Sequence, residues 1–143
     1  MRLHEPASQE DFDNYYRLRW EVLRKPWNQP LGSEKDEHEN SSVHVMAIDE
    51  RGECVGVSRL QFNSPEEAQV RFMGVRDDQQ GKGVGKMLMN YLEEKAKVKG
   101  AKKMMLQARE NAVPFYLSIG YVEPKKTFLL WGIIQHYKME KVL

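Results

Sequence analysis

Apolar and polar positions follow two periods along this chain, and the switches between them set out the elements. "SQEDFDNYYRLRWEVL", Ser8 to Leu23, places Phe12, Tyr15, Tyr16, Leu18 and Leu23 roughly on one helical face. Ser8 is its candidate N-cap, with Asp11 three residues on, and Pro26 and Pro30 end it. "MRLHE" before it reads as a short strand, and "KPWNQPLGSEKDEHENS" after it as a polar loop. "SVHVMAIDE", "CVGVSRLQF" and "AQVRFMGV" then read as strands separated by the turns "ERGE" and "NSPEE", an antiparallel meander. "GKMLMNYLEEKAKVKG" is an amphipathic helix ending at Gly100. "KKMMLQAR" reads as a strand. "AVPFYLSIG" reads as a short helix with Asn111 as N-cap and Pro114 in its first turn. "IIQHYKMEKVL" reads as the last strand. The order β-α-loop-β-β-β-α-β-α-β predicts an α+β or mixed α/β fold without internal repeats.

Composition narrows the function classes. A chain of 143 residues fits one domain over 1–143. With 22 basic and 21 acidic residues the net charge is +1. That balance argues against a domain held to nucleic acid by bulk charge, though it leaves room for a local basic pocket. A single cysteine, Cys54, rules out an intramolecular disulfide and suits a reducing compartment. Its alternating apolar surroundings suit a buried thiol better than a nucleophile. The N-terminus lacks the apolar core of a signal peptide, and no apolar run approaches membrane-spanning length. The expectation is a cytoplasmic protein with no nucleic-acid or membrane partner.

The candidate chemistry begins at "QQGKGVGK", Gln79 to Lys86, between the third meander strand and the long helix. A helix N-terminus behind glycines is an anion site, because its first N–H groups are free and its dipole is positive there. A nucleotide-hydrolase loop would need glycine at Gln80 and a hydroxyl at Met87. A dinucleotide loop would need glycine at Lys86 or Leu88. Both readings fail on the count. What fits is Gln-x-x-Gly-x-Gly at Gln80, Gly83 and Gly85. Here the sequence resembles the GNAT superfamily of acetyl-CoA-dependent N-acetyltransferases, in particular its small bacterial-type members. A second block agrees: "ARENAVPFYLSIGY" resembles the family's later motif at Ala112, Phe115, Tyr116, Gly120 and Tyr121. The resemblance is carried by the residues from Val70 on.

The resemblance implies a central, mostly antiparallel sheet with a splayed strand pair and helices on both faces. It implies acetyl-CoA as co-substrate, no metal, and transfer to a small-molecule or protein amine. Gln80, Gly81, Lys82, Gly83, Val84, Gly85 and Lys86 would cradle the pyrophosphate, and Met73 and Val75 would pair the pantetheine arm. Phe115 and Tyr116 would complete the cofactor site. The Val75 N–H is expected at the oxyanion and Tyr116 as general acid, since a phenol with a pKa near ~10 is protonated at neutral pH. The cofactor-contacting asparagine of many members is replaced by Arg109. Asn111 lies out of register and stands as a second candidate for that contact beside its reading as a helix cap.

For the general base Glu21, Glu34, Glu37, His38, His44, His136 or water remain open, with His44 and His136 discounted as structural. The segment from Arg17 to Asn40 is expected to wall the acceptor site. Arg19, Trp20 and Glu37 are candidate contacts there, and Arg71 would join them by sharing a strand face with Met73. Transfer from another acyl-CoA, or a non-catalytic CoA-binding sensor domain, are the alternatives. "FLLWGII" would serve a homodimer interface or the core.

Overall fold

The computed structural model describes residues 1–143. Strand β1 spans Arg2–His4 and helix α1 spans Gln9–Leu23. Ser8 caps α1: its Oγ accepts from the Asp11 N–H at 3.0 Å, and the Asp11 carboxylate accepts from the Ser8 N–H at 3.3 Å. This reciprocal box satisfies two donors that the helix start leaves free. Past Leu23 a short 3₁₀ turn holds Pro26, and the chain runs as a loop to the meander strands β2, Val43–Ile48, β3, Cys54–Phe62, and β4, Glu67–Val75. Helix α2 is Val84–Val98, β5 is Lys103–Arg109 and α3 is Val113–Ser118. Two strands close the chain, β6 at Val122–Leu130 and β7 at Ile134–Val142.

The seven strands form one sheet in the order β1-β2-β3-β4-β5-β7-β6. Every pairing is antiparallel except that of β4 with β5. Helix α1 covers one face, over Tyr15, Leu18, Met46, Ile48 and Val57. Helices α2 and α3 cover the other, where Leu88, Met89, Leu92 and Tyr116 join Val45, Leu60, Val70 and Leu106. Each leucine of that stripe stabilises the packing by about 2 kcal/mol. Gly56 allows α2 this close: an added Cβ would lie 2.8 Å from Val84 Cγ1 and 3.1 Å from Leu88 Cδ1.

The sequence reading lacked β6. Its residues show no alternation because β6 is an edge strand with both faces open, exposed from Val122 to Leu129. "FLLWGII" is therefore the hairpin between β6 and β7, turning through Trp131 and Gly132 at φ of 52° and 72°. Asn111 does not cap α3: it lies in a 3₁₀ turn, the capping position is Ala112, and no side chain bonds there.

Strand β4 carries the feature that shapes the site. It pairs with β5 only from Glu67–Lys103 to Val70–Leu106, and then the two strands part. The parting coincides with a bulge. Val57 faces Gly74 and Arg59 faces Arg71, so the partner strand skips one residue of β4. Phe72 there has φ of 56°, a left-handed conformation that a bulky side chain occupies only under strain. The extra residue also resets the faces. Val70 packs on the α2 side, Arg71 and Phe72 both lie on the α1 side, and Met73 and Val75 return to the α2 side.

Candidate functional site

Where β4 and β5 part, a cavity of about 320 Å³ opens between the two helical layers. From β4 it takes Val70, Arg71, Phe72 and Met73, and from β5 Leu106, Ala108 and Arg109. Helix α1 ends at it with Leu23, followed by Arg24; α3 contributes Tyr116, and the terminal hairpin Phe128 and His136.

The strand geometry leaves backbone donors at this opening. The Arg76 N–H donates to the Val55 carbonyl at 2.9 Å, toward β3. By strand alternation the Val75 N–H points to the opposite edge, which β5 has left. Just beyond, Gln80 Nε2 donates to the Val75 carbonyl at 3.2 Å, folding the glycine loop against the strand end. Gly81 and Gly83 sit at φ of 76° and 83°, and Gly83 holds the cap position of α2 without any side-chain cap. The first N–H groups of α2 are thus free of a capping side chain beside a cradle with open space where side chains would be. Lys82 and Lys86 are exposed next to it. Gly85 lies against Phe115, where an added Cβ would come within 3.1 Å of the ring.

Tyr116 is buried, its hydroxyl has no protein partner, and it lines the cavity. Burial raises its pKa, against a smaller opposing pull from Arg109. The phenol therefore stays protonated. His136 is also buried and lies 4.4 Å from Phe128, ring stacked on ring. Its Nδ1 is 3.0 Å from the Ile134 carbonyl, so Nδ1 carries the proton and Nε2 keeps a lone pair. Burial first, then the charges of Arg109, Arg24 and Arg71, push its pKa below the usual 6.5.

Arg109 donates to the Leu23 carbonyl at 3.0 Å. Its pKa is pushed down to about 10 by burial and by the charge of Arg24. Four guanidinium groups, of Arg19, Arg24, Arg59 and Arg71, surround the Phe72 ring within 4.4 to 5.6 Å.

The structure brings together Met73, Arg71 and Tyr116 in the cavity, with Val75, Phe115 and the loop from Gln80 to Lys86 alongside it. It does not bring in the other three acceptor candidates. Arg19 is sealed beneath the loop, bonded to Glu39 and Tyr15. Trp20 is pinned by its Nε1 to the Gln29 carbonyl at 3.0 Å. Glu37 is exposed on the loop and pairs with His38. Asn111 is exposed and off the cavity. Arg71 reaches the cavity, but not by sharing a face with Met73, because the bulge separates them.

Sequence reasoning missed Phe72 and set His136 aside. Arg24 stood only among the charges of its segment. A histidine in a strand carries no local sign of the cavity it meets, and the left-handed Phe72 follows from tertiary pairing. His44, also set aside as structural, is structural. Its Nε2 is 2.7 Å from the Glu39 carbonyl and its Nδ1 2.8 Å from the Tyr15 hydroxyl.

No group of three or more His, Cys, Asp or Glu side chains is placed to hold a metal ion. No helix is long and apolar enough to cross a membrane.

Comparison with known proteins follows the same outline. A family model described as "Acetyltransferase (GNAT) family" matches residues 12–121. The chain is 35% identical over 136 residues to the "Uncharacterized N-acetyltransferase YjcF" of Bacillus subtilis (strain 168), covering 94% of each chain. Its fold matches a crystal structure of an aminoglycoside 6'-N-acetyltransferase complexed with coenzyme A, with a TM-score of 0.81 at 17% identity, over 99% of this chain and 97% of the other. A putative N-acetyltransferase from Lactobacillus plantarum matches with a TM-score of 0.83 at 19% identity, over the same shares.

Proposed function

The chain belongs to the GNAT acetyltransferase family, and on that premise we propose that it transfers the acetyl group of acetyl-CoA to a primary amine by direct attack in a ternary complex. The observation that carries this reading is the parting of β4 from β5 beside the N-terminus of α2. An anion-binding cradle and a free backbone donor stand beside the opening, and a protonated phenol lines it.

Each step assigns a task to residues of this chain. The amides from Gly81 to Lys86 hold the pyrophosphate, with Lys82 and Lys86 adding charge. The pantetheine arm runs along Met73 and Val75, occupying the edge that β5 leaves unpaired. Acetyl-CoA supplies the acyl group as a thioester. The Val75 N–H receives the carbonyl oxygen as it gains charge. His136 Nε2 takes the proton from the attacking amine, since an ammonium has no lone pair and this imidazole is held neutral. Tyr116 donates its proton to the departing thiolate.

The test has two parts. Thermal melts with acetyl-CoA, CoA, ATP and NAD should show stabilisation by the two CoA species alone, and no shift with either would sink the proposal. Release of free thiol from acetyl-CoA across a panel of amines then reads transfer directly.

A further inference from the structure

We propose that the acceptor amine carries an anionic group, a carboxylate or a phosphate, held by Arg24 and Arg109 at the α1 side of the cavity. This deepens the acetyl-transfer reading above, in which the same cavity receives the amine.

The cavity lining includes three arginines and a histidine, and no aspartate or glutamate. Arg71 is answered from outside, by Asp36 at 3.2 Å. Arg24 and Arg109 have no carboxylate partner. Instead both donate to one neutral atom, the Leu23 carbonyl oxygen, at 3.2 and 3.0 Å. Arg24 spends one more donor on the Ser33 carbonyl at 3.1 Å. Arg24 Nη2 and Arg109 Nε and Nη1 bond nothing in the protein. Two half-buried charges of one sign thus converge with no carboxylate bonded to either, the Glu34 charge acting on Arg24 only from a distance.

Such an arrangement is costly unless something compensates it, because burial and mutual repulsion both disfavour the charged forms. Elsewhere this chain pairs the arginines it buries: Arg19 with Glu39, and Arg59 with both Asp36 and Glu39. Other acids of the flanking segments are engaged elsewhere. Glu34 accepts from the Gly32 N–H at 2.8 Å, Glu37 pairs with His38 in solvent, and Glu110 accepts from the Tyr137 hydroxyl at 2.9 Å. A carboxylate or a phosphate can accept from the remaining N–H groups of the two guanidiniums. The anion is not the cofactor's pyrophosphate, since no residue of the Gly81–Lys86 cradle lines this cavity. A polycationic amine would add charge of the same sign and be turned away.

The experiment uses inorganic phosphate and succinate as probes on the protein saturated with CoA, so that the glycine cradle is filled. At matched ionic strength each anion should raise the Tm above that in chloride. Arg24→Gln/Arg109→Gln should lose this anion-dependent rise while keeping the CoA-dependent one, and Arg24→Lys/Arg109→Lys should retain part of it. Should the double variant not fold, Arg109→Gln alone is read the same way. An equal rise in wild type and variant, or none in wild type, overturns the proposal. The thiol-release assay gives a second reading with paired acceptors. Glucosamine 6-phosphate against glucosamine, and glutamate against its diamide, separate phosphate from carboxylate. The anionic member of at least one pair should be favoured at least tenfold in kcat/KM, and preference for spermine or for the neutral members overturns it. Loss of the CoA-dependent rise itself would refute the donor reading instead, with the anion rise still measurable without CoA.

Discussion

Arg19, sealed from solvent inside α1, donates to Glu39 of the following loop at 2.9 Å. The other oxygen of Glu39 accepts from Arg59 at 2.7 Å, and Asp36 takes Arg59 at 2.5 Å. Two carboxylates thus answer two buried guanidinium groups and tie the loop after α1 to β3. The Nε atoms of both arginines stay buried and unpartnered, so the network already bears a desolvation cost. Glu39→Ala leaves Arg19 uncompensated and should cost about 3 to 5 kcal/mol in urea unfolding. A loss below about 1 kcal/mol would show that water reaches the arginines.

Acid should destabilise the protein over two pH ranges. His44 is pushed below 6.5, first by burial and then by the charges of Arg19 and Arg59, against the bond to the Glu39 carbonyl. The unfolded chain protonates this histidine below about pH 6.5 while the native protein does not, so stability begins to fall there. Asp36 follows. Burial would raise its pKa, but its bonds to Arg59 and the His38 N–H hold it at about 2, against 3.8 in the open chain. Its contribution is present above about pH 4 and is lost as pH falls toward 2. Tm measured against pH should show both limbs, and Asp36→Asn should flatten only the lower one.

Tyr116→Phe should lower kcat by roughly 100-fold with little change in acetyl-CoA affinity, because it removes a proton donor and not a binding surface. His136→Gln should lower kcat similarly. The acid limb of the wild-type kcat profile belongs below pH 6.5, the ordinary value from which burial lowers this imidazole. Unchanged turnover in either variant removes that residue from the mechanism.

Two glycines beside the same helix should separate binding from packing. Gly83→Ala places a side chain at φ of 83°, a conformation that costs about 1 to 2 kcal/mol, and it should weaken CoA binding as well. Gly56→Ala meets Val84 and should cost about 1 to 3 kcal/mol while leaving CoA affinity near wild type once folded. Calorimetry and denaturant melts on both variants read the two effects apart.

Cys54 should resist alkylation. Burial pushes its thiol up to about 12, against smaller opposing contributions from the Gly56 backbone and the charge of Arg76. Iodoacetamide at pH 8 should label it far more slowly in the native protein than in urea. Equal rates would show that the half-buried thiol is open to the reagent.

The second half of the chain was the more legible. Gln80, Gly83 and Gly85 carry a spacing that only local backbone geometry requires, and Phe115 and Tyr116 follow at a fixed interval. The helices α1 and α2 were readable because one face of each is buried and the period shows it. β6 was not, since an edge strand open on both faces has no period to display. Nor was the cavity where β4 parts from β5. Its members come from α1, β4, β5 and the terminal hairpin, far apart in sequence, and their meeting depends on where β4 leaves β5. Trp20 and Arg19 looked like contacts because their segment was expected to wall the acceptor site, yet hydrogen bonds tie both into the scaffold.

Phe72 gives β4 one residue more than regular alternation needs. Its removal would leave Arg71, Met73, Gly74 and Val75 on the sides they occupy now, so the strand would lose none of its packing order. It would lose the bulge that coincides with the point, directly after Val70, where β4 turns from β5. The cleft opens where β4 carries its extra residue, and a chain lacking Phe72 is expected to pair β4 with β5 beyond Val70.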